Sequence, residues 1–310
     1  MIAAAHVDAR CVAAVGGPEA VAALERTLLD GFDPARDLRR VSVPLSAGEL
    51  LLMPSQTPEW TGVKLITVAP SNVERGAPRI QGVYVLFDTS TLTPVVTTDG
   101  AALTSLRTPA VSMLAIRRQL QRASRPQHVV IAGTGPQAVR HAQAIAEFAA
   151  IADVELADVA LLSRSPREVA TDGVDSRVVA YADAAPLLSG AQIIVCTTTA
   201  RTPIFDGALV QDGAMVVAVG SHEPTARELD ANLMGRAQVF VEDRATALRE
   251  AGDVVLAVAE GTLTADMLVP IGDLVRGAVP LATDRPVVFK TVGMSWQDLA
   301  IARLIVERGA

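Results

Sequence analysis

The chain has 310 residues, half of them hydrophobic but only 3% aromatic, and a formal net charge of −7. That length fits one large domain or two ordinary ones, with cores built from Val, Leu, Ile and Ala. The basic residues are scattered, which argues against binding a phosphate backbone and leaves room for a small anionic ligand.

In chain order, Gly16-Gly17-Pro18 is a break before an apolar-periodic helix, Glu19 to Asp30, ended by Gly31. Short strand-like runs follow at Arg40–Leu45, Leu50–Met53, Val63–Val68 and Val83–Phe87, separated by Pro, Gly, Ser and Asn. Strands this close, with no helices between them, predict a mostly antiparallel sheet. A helical pattern runs from Gly100 to Leu120, with a break or kink expected near Arg107-Thr108 because of Pro109. Arg122 to Gln127 reads as a linker.

From His128 the texture alternates. Continuous apolar runs at Val129–Ala132, Val159–Leu162, Ile193–Thr197, Met215–Val219 and Val239–Val241, several with helical stretches between them, predict a parallel sheet covered on both faces. Val287–Phe289 is a last strand candidate, followed by Gly293 and a final helix, Gln297–Glu307. The two cysteines, Cys11 and Cys196, show neither zinc spacing nor a disulfide framework; no metal site and a reducing compartment are expected. Met1–His6 lacks a secretory pattern and no apolar run is long enough to cross a bilayer, so a cytoplasmic protein is expected.

The most informative segment is Gly133-Thr134-Gly135-Pro136-Gln137-Ala138, placed between a strand and a helix. Gly133 permits a tight turn, Gly135 lets the backbone approach a pyrophosphate, and Ala138 keeps helix and strand close. Pro136 suits a first helical turn, whose free N–H groups favour an anion. The second parallel strand ends in Ser163-Arg164-Ser165, where a hydroxyl and a guanidinium suit a ribose 2′-phosphate. NADP is therefore favoured over NAD. A strand ending instead at Asp158 would favour NAD.

The chain resembles the ornithine cyclodeaminase/mu-crystallin family. The resemblance rests on Arg40, Leu52-Met53-Pro54, Gly62-Val63-Lys64, Gly82 with Leu86-Phe87-Asp88, Leu103 to Thr108, and Gly133 to Ala138. It continues through Ala218 to Ser221, Arg227 to Asp230, Gly252-Asp253-Val254, and Phe289-Lys290 with Val292-Gly293-Met294. It implies a homodimer with two domains per chain. Residues 1–117 and 292–310 form an α+β substrate and dimerisation domain. Residues 118–291 form the α/β domain, a Rossmann-type doubly wound parallel sheet. Members act on amino, imino or keto acids with NAD or NADP. The resemblance assigns Arg40, Lys64 and Arg107 to the substrate carboxylate, as a bidentate Arg and a compact Lys charge allow. Lys64 lies in an apolar run where its ammonium needs an anion; from the pattern alone it can instead face solvent, with Arg40 and Arg107 as surface groups.

Two departures bear on chemistry. Where cyclodeaminases carry an Asp that engages a substrate amine, this chain has His222, and Leu51 or Leu52 stands where a Glu is usual. Reduction of a cyclic or linear 2-imino acid is therefore the favoured reading. An ornithine cyclodeaminase-like lyase using bound NAD and a crystallin-like nicotinamide-binding protein are the alternatives. His222 is a candidate acid or base, or a loop histidine with its hydrogen bonds met. Thr197 to Thr199, Val219 and Ser221 past strand ends, and Thr291 with Val292, are cofactor candidates. Trp296 is open between a pocket, a dimer contact and the core.

Overall fold

The computed structural model describes residues 4–309, the Val73 side chain excepted. Met1, Ile2 and Ala3 of the Met1–His6 stretch lie outside the described residues. The chain divides into two compact units, one running to Ala110 and resuming at Met294, the other spanning Val111–Gly293.

The first unit opens with β1 (Ala5–Val7), α1 (Ala9–Ala13) and α2 (Gly17–Leu29). In α2 the Glu19 side chain accepts the Gly16 N–H at 3.1 Å, and the chain leaves past Gly31 at φ +96°. Then come β2 (Val41–Leu45), β3 (Gly48–Gln56), β4 (Trp60–Val68), β5 (Ile80–Asp88) and β6 (Pro94–Asp99). They form a six-stranded sheet ordered β1-β6-β5-β4-β3-β2, antiparallel throughout except for the β1–β6 pair. Burial alternates along β4, and Lys64 falls on the buried face with Ile66 and Val68. The solvent-facing alternative for Lys64 is thereby ruled out.

Helix α3 (Gly100–Gln121) corrects the expectation of a break: it continues through Pro109. The proline removes one N–H donor, but Arg107 to Ile116 are all buried, so packing holds the helix together. The Thr108 hydroxyl adds a bond to the Thr104 carbonyl at 2.8 Å within the same turn.

The second unit follows with β7 (Gln127–Ala132), α4 (Pro136–Ile151), β8 (Leu156–Ser163), β9 (Arg177–Ala180), α5 (Ala185–Gly190), β10 (Ile193–Cys196) and β11 (Met215–Ala218). It continues through α6 (Ala231–Arg236), β12 (Gln238–Val241), α7 (Arg244–Glu250), α8 (Gly252–Ala259), β13 (Leu268–Pro270), α9 (Ile271–Val275) and β14 (Val287–Lys290). These eight strands form a wholly parallel sheet ordered β13-β12-β14-β11-β10-β7-β8-β9. Chain order runs one way from β7 and the other way from β10, which makes the β7–β10 junction the topological switch point of a Rossmann-type sheet. Strands β10, β11 and β14 are buried at every residue, the signature of a sheet covered on both faces. The short strands β9 and β13 were not anticipated. The last helix, α10 (Ser295–Glu307), returns to the first unit and packs on α2, β3 and β4.

Candidate functional site

In the first unit, three elements bring ionisable side chains together. Lys64 of β4 is fully buried, and its Nζ donates to Asp298 Oδ2 of α10 at 2.7 Å and to Thr104 Oγ1 of α3 at 3.2 Å. Arg107 of α3, 7% exposed, donates from Nη1 to Gln297 Oε1 at 3.1 Å and places Nε 3.7 Å from Asp298 Oδ1. Two buried cations thus share one carboxylate. Arg40, half-buried just before β2, lies close enough for its charge to act on Lys64. The Lys64 ammonium is held down at about 8: burial is the largest cause, Asp298 opposes it, and Arg107 and Arg40 add to it.

The anion demanded by a buried Lys64 is therefore supplied first by the chain itself. Asp298 and Gln297 were missed in the sequence. So was Tyr84 of β5, the register partner of Lys64, which is fully buried and whose phenol is pushed well up by burial and then by the charges of Asp298 and Asp37. Among the described residues, the Tyr84 hydroxyl, Arg107 Nε and Asp298 Oδ1 have no hydrogen-bond partner. Buried groups in that condition suit a bound ligand carrying both an anion and an N–H. Trp296 is core: 1% exposed, its ring tilted against Phe32 with centroids 5.9 Å apart.

In the second unit, the cofactor candidates line one edge. Gly133–Ala138 follows β7, Ser163–Ser165 ends β8, Thr197 follows β10, Val219 and Ser221 follow β11, and Thr291 follows β14. These five strands are adjacent in the sheet. Gly133 has φ +120°, and a Cβ there would lie 2.6 Å from Thr197 Oγ1. A Cβ on Gly135 would meet nothing within 4 Å, so open space lies over the turn. Gly135 caps α4 with no side-chain bond, leaving the first-turn N–H groups to an anion. The turn therefore has the uncapped N–H groups and the open side at Gly135 that a dinucleotide pyrophosphate needs.

Asp158 is the third residue of β8, well short of its carboxyl end, and is gripped by Arg177 at 3.0 and 2.7 Å. Arg164 and Ser165 are exposed past that end. His222 is half-buried in the loop after β11. The Thr291 hydroxyl donates to Glu242 Oε1 at 2.7 Å, and the Val292 N–H donates to Glu242 Oε2 at 2.8 Å. No group of three or more metal-binding side chains occurs among the described residues.

A second buried charge cluster sits on the same edge. Lys290 Nζ lies 3.0 Å from Asp253 Oδ2, both side chains fully buried. Burial pushes the Glu228 carboxyl up, against the pull of Lys290. These residues belong to the segments that carried the resemblance, but sequence spacing gave them no role.

The ornithine cyclodeaminase/mu-crystallin family model matches residues 11–310, and the chain belongs to that family. A Delta(1)-pyrroline-2-carboxylate/Delta(1)-piperideine-2-carboxylate reductase of Azospirillum brasilense is 34% identical over 85% of this chain and 82% of its own. The ketimine reductase mu-crystallin of Mus musculus is 32% identical over 86% and 83%. The fold matches that of Thermococcus litoralis Delta(1)-pyrroline-2-carboxylate reductase, solved in complex with NADH and L-proline, with a TM-score of 0.87 over 99% of this chain and 98% of that one, at 22% identity.

Proposed function

We propose that the chain is an NAD(P)H-dependent reductase of a cyclic or linear 2-imino acid. The observation that carries this reading is the buried set Lys64, Arg107, Tyr84 and Asp298, with two cations around one carboxylate and with the Tyr84 hydroxyl, Arg107 Nε and Asp298 Oδ1 lacking hydrogen-bond partners. Arg107, Arg40 and Lys64 bind the substrate carboxylate, and Lys64 holds a proton at Nζ for the imine nitrogen. A reduced nicotinamide, when bound, supplies the hydride to the imine carbon. Leu51 and Leu52 offer no counter-charge to a substrate side-chain amine, which weighs against a diamine lyase.

The test is an absorbance assay of purified protein with NADPH or NADH and a panel of pyrroline-2-carboxylate, piperideine-2-carboxylate and pyruvate with ammonia or methylamine. Oxidation of the nicotinamide with one of them is expected. No oxidation with any, but ammonia released from ornithine or lysine with NAD, would establish the lyase instead.

Lys64 must be charged to bind a carboxylate and donate a proton. Its ammonium is lost as pH rises through about 8, so kcat/KM is expected to fall above that value. Asp298, Arg107, Arg40 and Tyr84 are the charged or titratable groups acting around it. A flat profile from pH 7 to 10 would remove Lys64 from the reaction.

For the cofactor, we favour NADPH. Asp158 is committed to Arg177 within its strand, while Ser163, Arg164 and Ser165 stand at the strand end. Arg164→Ala is expected to raise the KM for NADPH roughly tenfold, the scale of one charge-assisted hydrogen bond, and to leave that for NADH unchanged. Equal effects on both would withdraw Arg164 from a 2′-phosphate role.

We also infer a homodimer, since edge strand β2 exposes Val41, Val43 and Leu45; light scattering gives the mass directly. Both cysteines are thiols, which fits a reducing compartment such as the cytoplasm.

A further inference from the structure

Strands β10, β11 and β14 end side by side in the sheet, and one continuous buried network fastens the loops after β10 and β11 to the end of β14. Lys290 closes β14. Its Nζ donates to the Ser221 carbonyl at 2.7 Å and the Ala218 carbonyl at 3.3 Å, and pairs with Asp253 Oδ2 at 3.0 Å. The other oxygen of Asp253, from the first turn of α8, accepts the backbone N–H groups of Glu228 at 2.7 Å and Leu229 at 2.8 Å. Glu228 in turn accepts the Thr198 N–H at 2.6 Å and the Thr198 hydroxyl at 2.8 Å on Oε1, and the Gly220 N–H at 2.8 Å on Oε2.

The loops also touch directly. A Cβ on Gly220 would lie 2.0 Å from the Thr198 carbonyl oxygen, and one on Gly252 would lie 1.9 Å from that of Ala226. The Ser221 hydroxyl donates to the Ala226 carbonyl.

A buried charge cluster of this kind is weak evidence for a stabilising role. Burying two carboxylates and an ammonium is expensive, and well-packed hydrophobic groups serve stability at least as well. What the network secures is position: each carboxylate oxygen is spent on backbone N–H groups or a hydroxyl of the strand-end loops, or on the lysine that holds the carbonyls of Ala218 at the end of β11 and Ser221 beyond it. In a Rossmann-type sheet one mononucleotide half lies over each side of the switch point. Here the glycine turn and the Ser163–Ser165 end belong to the β7–β8 side. The network lies wholly on the other.

We propose that Glu228, Asp253 and Lys290 are positioning residues for the nicotinamide half of the dinucleotide, acting through the loops after β10 and β11. This rests on the dinucleotide reading of the unit. The adenine half, held after β7 and β8, does not depend on the network.

The test uses Glu228→Gln in the full-length protein. An amide at Glu228 must point its NH2 group at the Gly220 N–H or at Thr198, putting donor against donor in place of one hydrogen bond. A second variant, Lys290→Met with Asp253→Asn, removes the buried ion pair and leaves Glu228, with its hydrogen bonds to Thr198 and Gly220, as the one carboxylate of the network. Binding of NADPH and NADH is measured by calorimetry beside two fragments of the adenine half, ADP and adenosine 2′,5′-bisphosphate. Dissociation constants for the whole dinucleotide are expected to rise roughly tenfold to a hundredfold, with fragment affinity unchanged. Parallel losses for dinucleotide and fragment would mean a general structural role and overturn the assignment, as would unchanged binding of both in a folded variant. Should Glu228→Gln fail to fold, the double variant is judged by the same two affinities, and failure of both to fold would equally make the role structural. Wild-type protein that binds neither NADPH nor NADH would overturn the dinucleotide reading itself, which separates that failure from this one.

Discussion

Lys64→Met is expected to lower kcat/KM for a 2-imino acid by about a hundredfold or more, the scale of losing a preorganised charge in a buried site. Two effects act together. The variant lacks an ammonium for the substrate carboxylate, and it takes from the fully buried Asp298 its 2.7 Å partner, with Arg107 Nε already 3.7 Å from Asp298 Oδ1. Arg107 is then drawn to Asp298, and the remaining carboxylate repels the incoming one. Breaking a buried pair from one side also costs about 3–5 kcal/mol of stability, so the melting temperature should drop. The double variant Lys64→Met, Asp298→Asn separates the contributions. It removes the carboxylate that Lys64→Met leaves without its 2.7 Å partner, while Arg107 loses that carboxylate and keeps its bond to Gln297, so part of the lost stability and none of the lost activity is expected to return. Recovery of both would make Lys64 a structural residue and dismantle the proposed carboxylate subsite.

The parts of this fold that were legible are those in which burial leaves a periodic trace. Continuous apolar runs located β7, β8, β10, β11, β12 and β14, because a sheet covered on both faces has no polar side to show. Strands β9 and β13 lack that trace: no residue of β9 is fully buried, and β13 is three residues with one of them buried. The break offered at Pro109, as one of two outcomes beside a kink, does not occur, because tertiary packing outweighs the local rule for proline. Asp298 was missed because a carboxylate in a helix normally faces water. Yet Trp296, Leu299, Ala300, Ile301, Ala302, Leu304 and Ile305 are all buried, so α10 has little solvated face along that stretch, and a charge there must be paired. Lys290 ends an apolar strand much as Lys64 sits inside one. The reasoning that asked for an anion at Lys64 applies to it equally, and the answering carboxylate is Asp253. What no spacing reveals is which distant carboxylate answers which lysine; that is set by the order of the strands.

The dinucleotide turn allows the second decisive substitution. Gly133→Ala is expected to weaken NADPH and NADH binding by roughly a hundredfold, with the secondary structure of the chain retained. Gly133 has φ +120°, where an L-residue is strained by about 1–3 kcal/mol, and each 1.4 kcal/mol is a factor of about ten in affinity. The new methyl would also lie 2.6 Å from Thr197 Oγ1, a hydroxyl already committed to the Ala132 carbonyl at 3.0 Å. Relief requires the turn to move away from the loop after β10, or that hydroxyl to rotate out of its bond. Gly135→Ala is the control. Its backbone lies at φ −81° and its Cβ direction is open, so the protein itself accepts a methyl there, and any loss of affinity must come from the space the methyl takes from the ligand. Circular dichroism and thermal melting should therefore separate the two variants, with Gly133→Ala destabilised and Gly135→Ala close to wild type, while calorimetry shows both impaired in dinucleotide binding. A Gly135→Ala variant that binds both dinucleotides with full affinity would mean that no phosphate approaches the turn, and the second unit would lose its assignment as the cofactor domain.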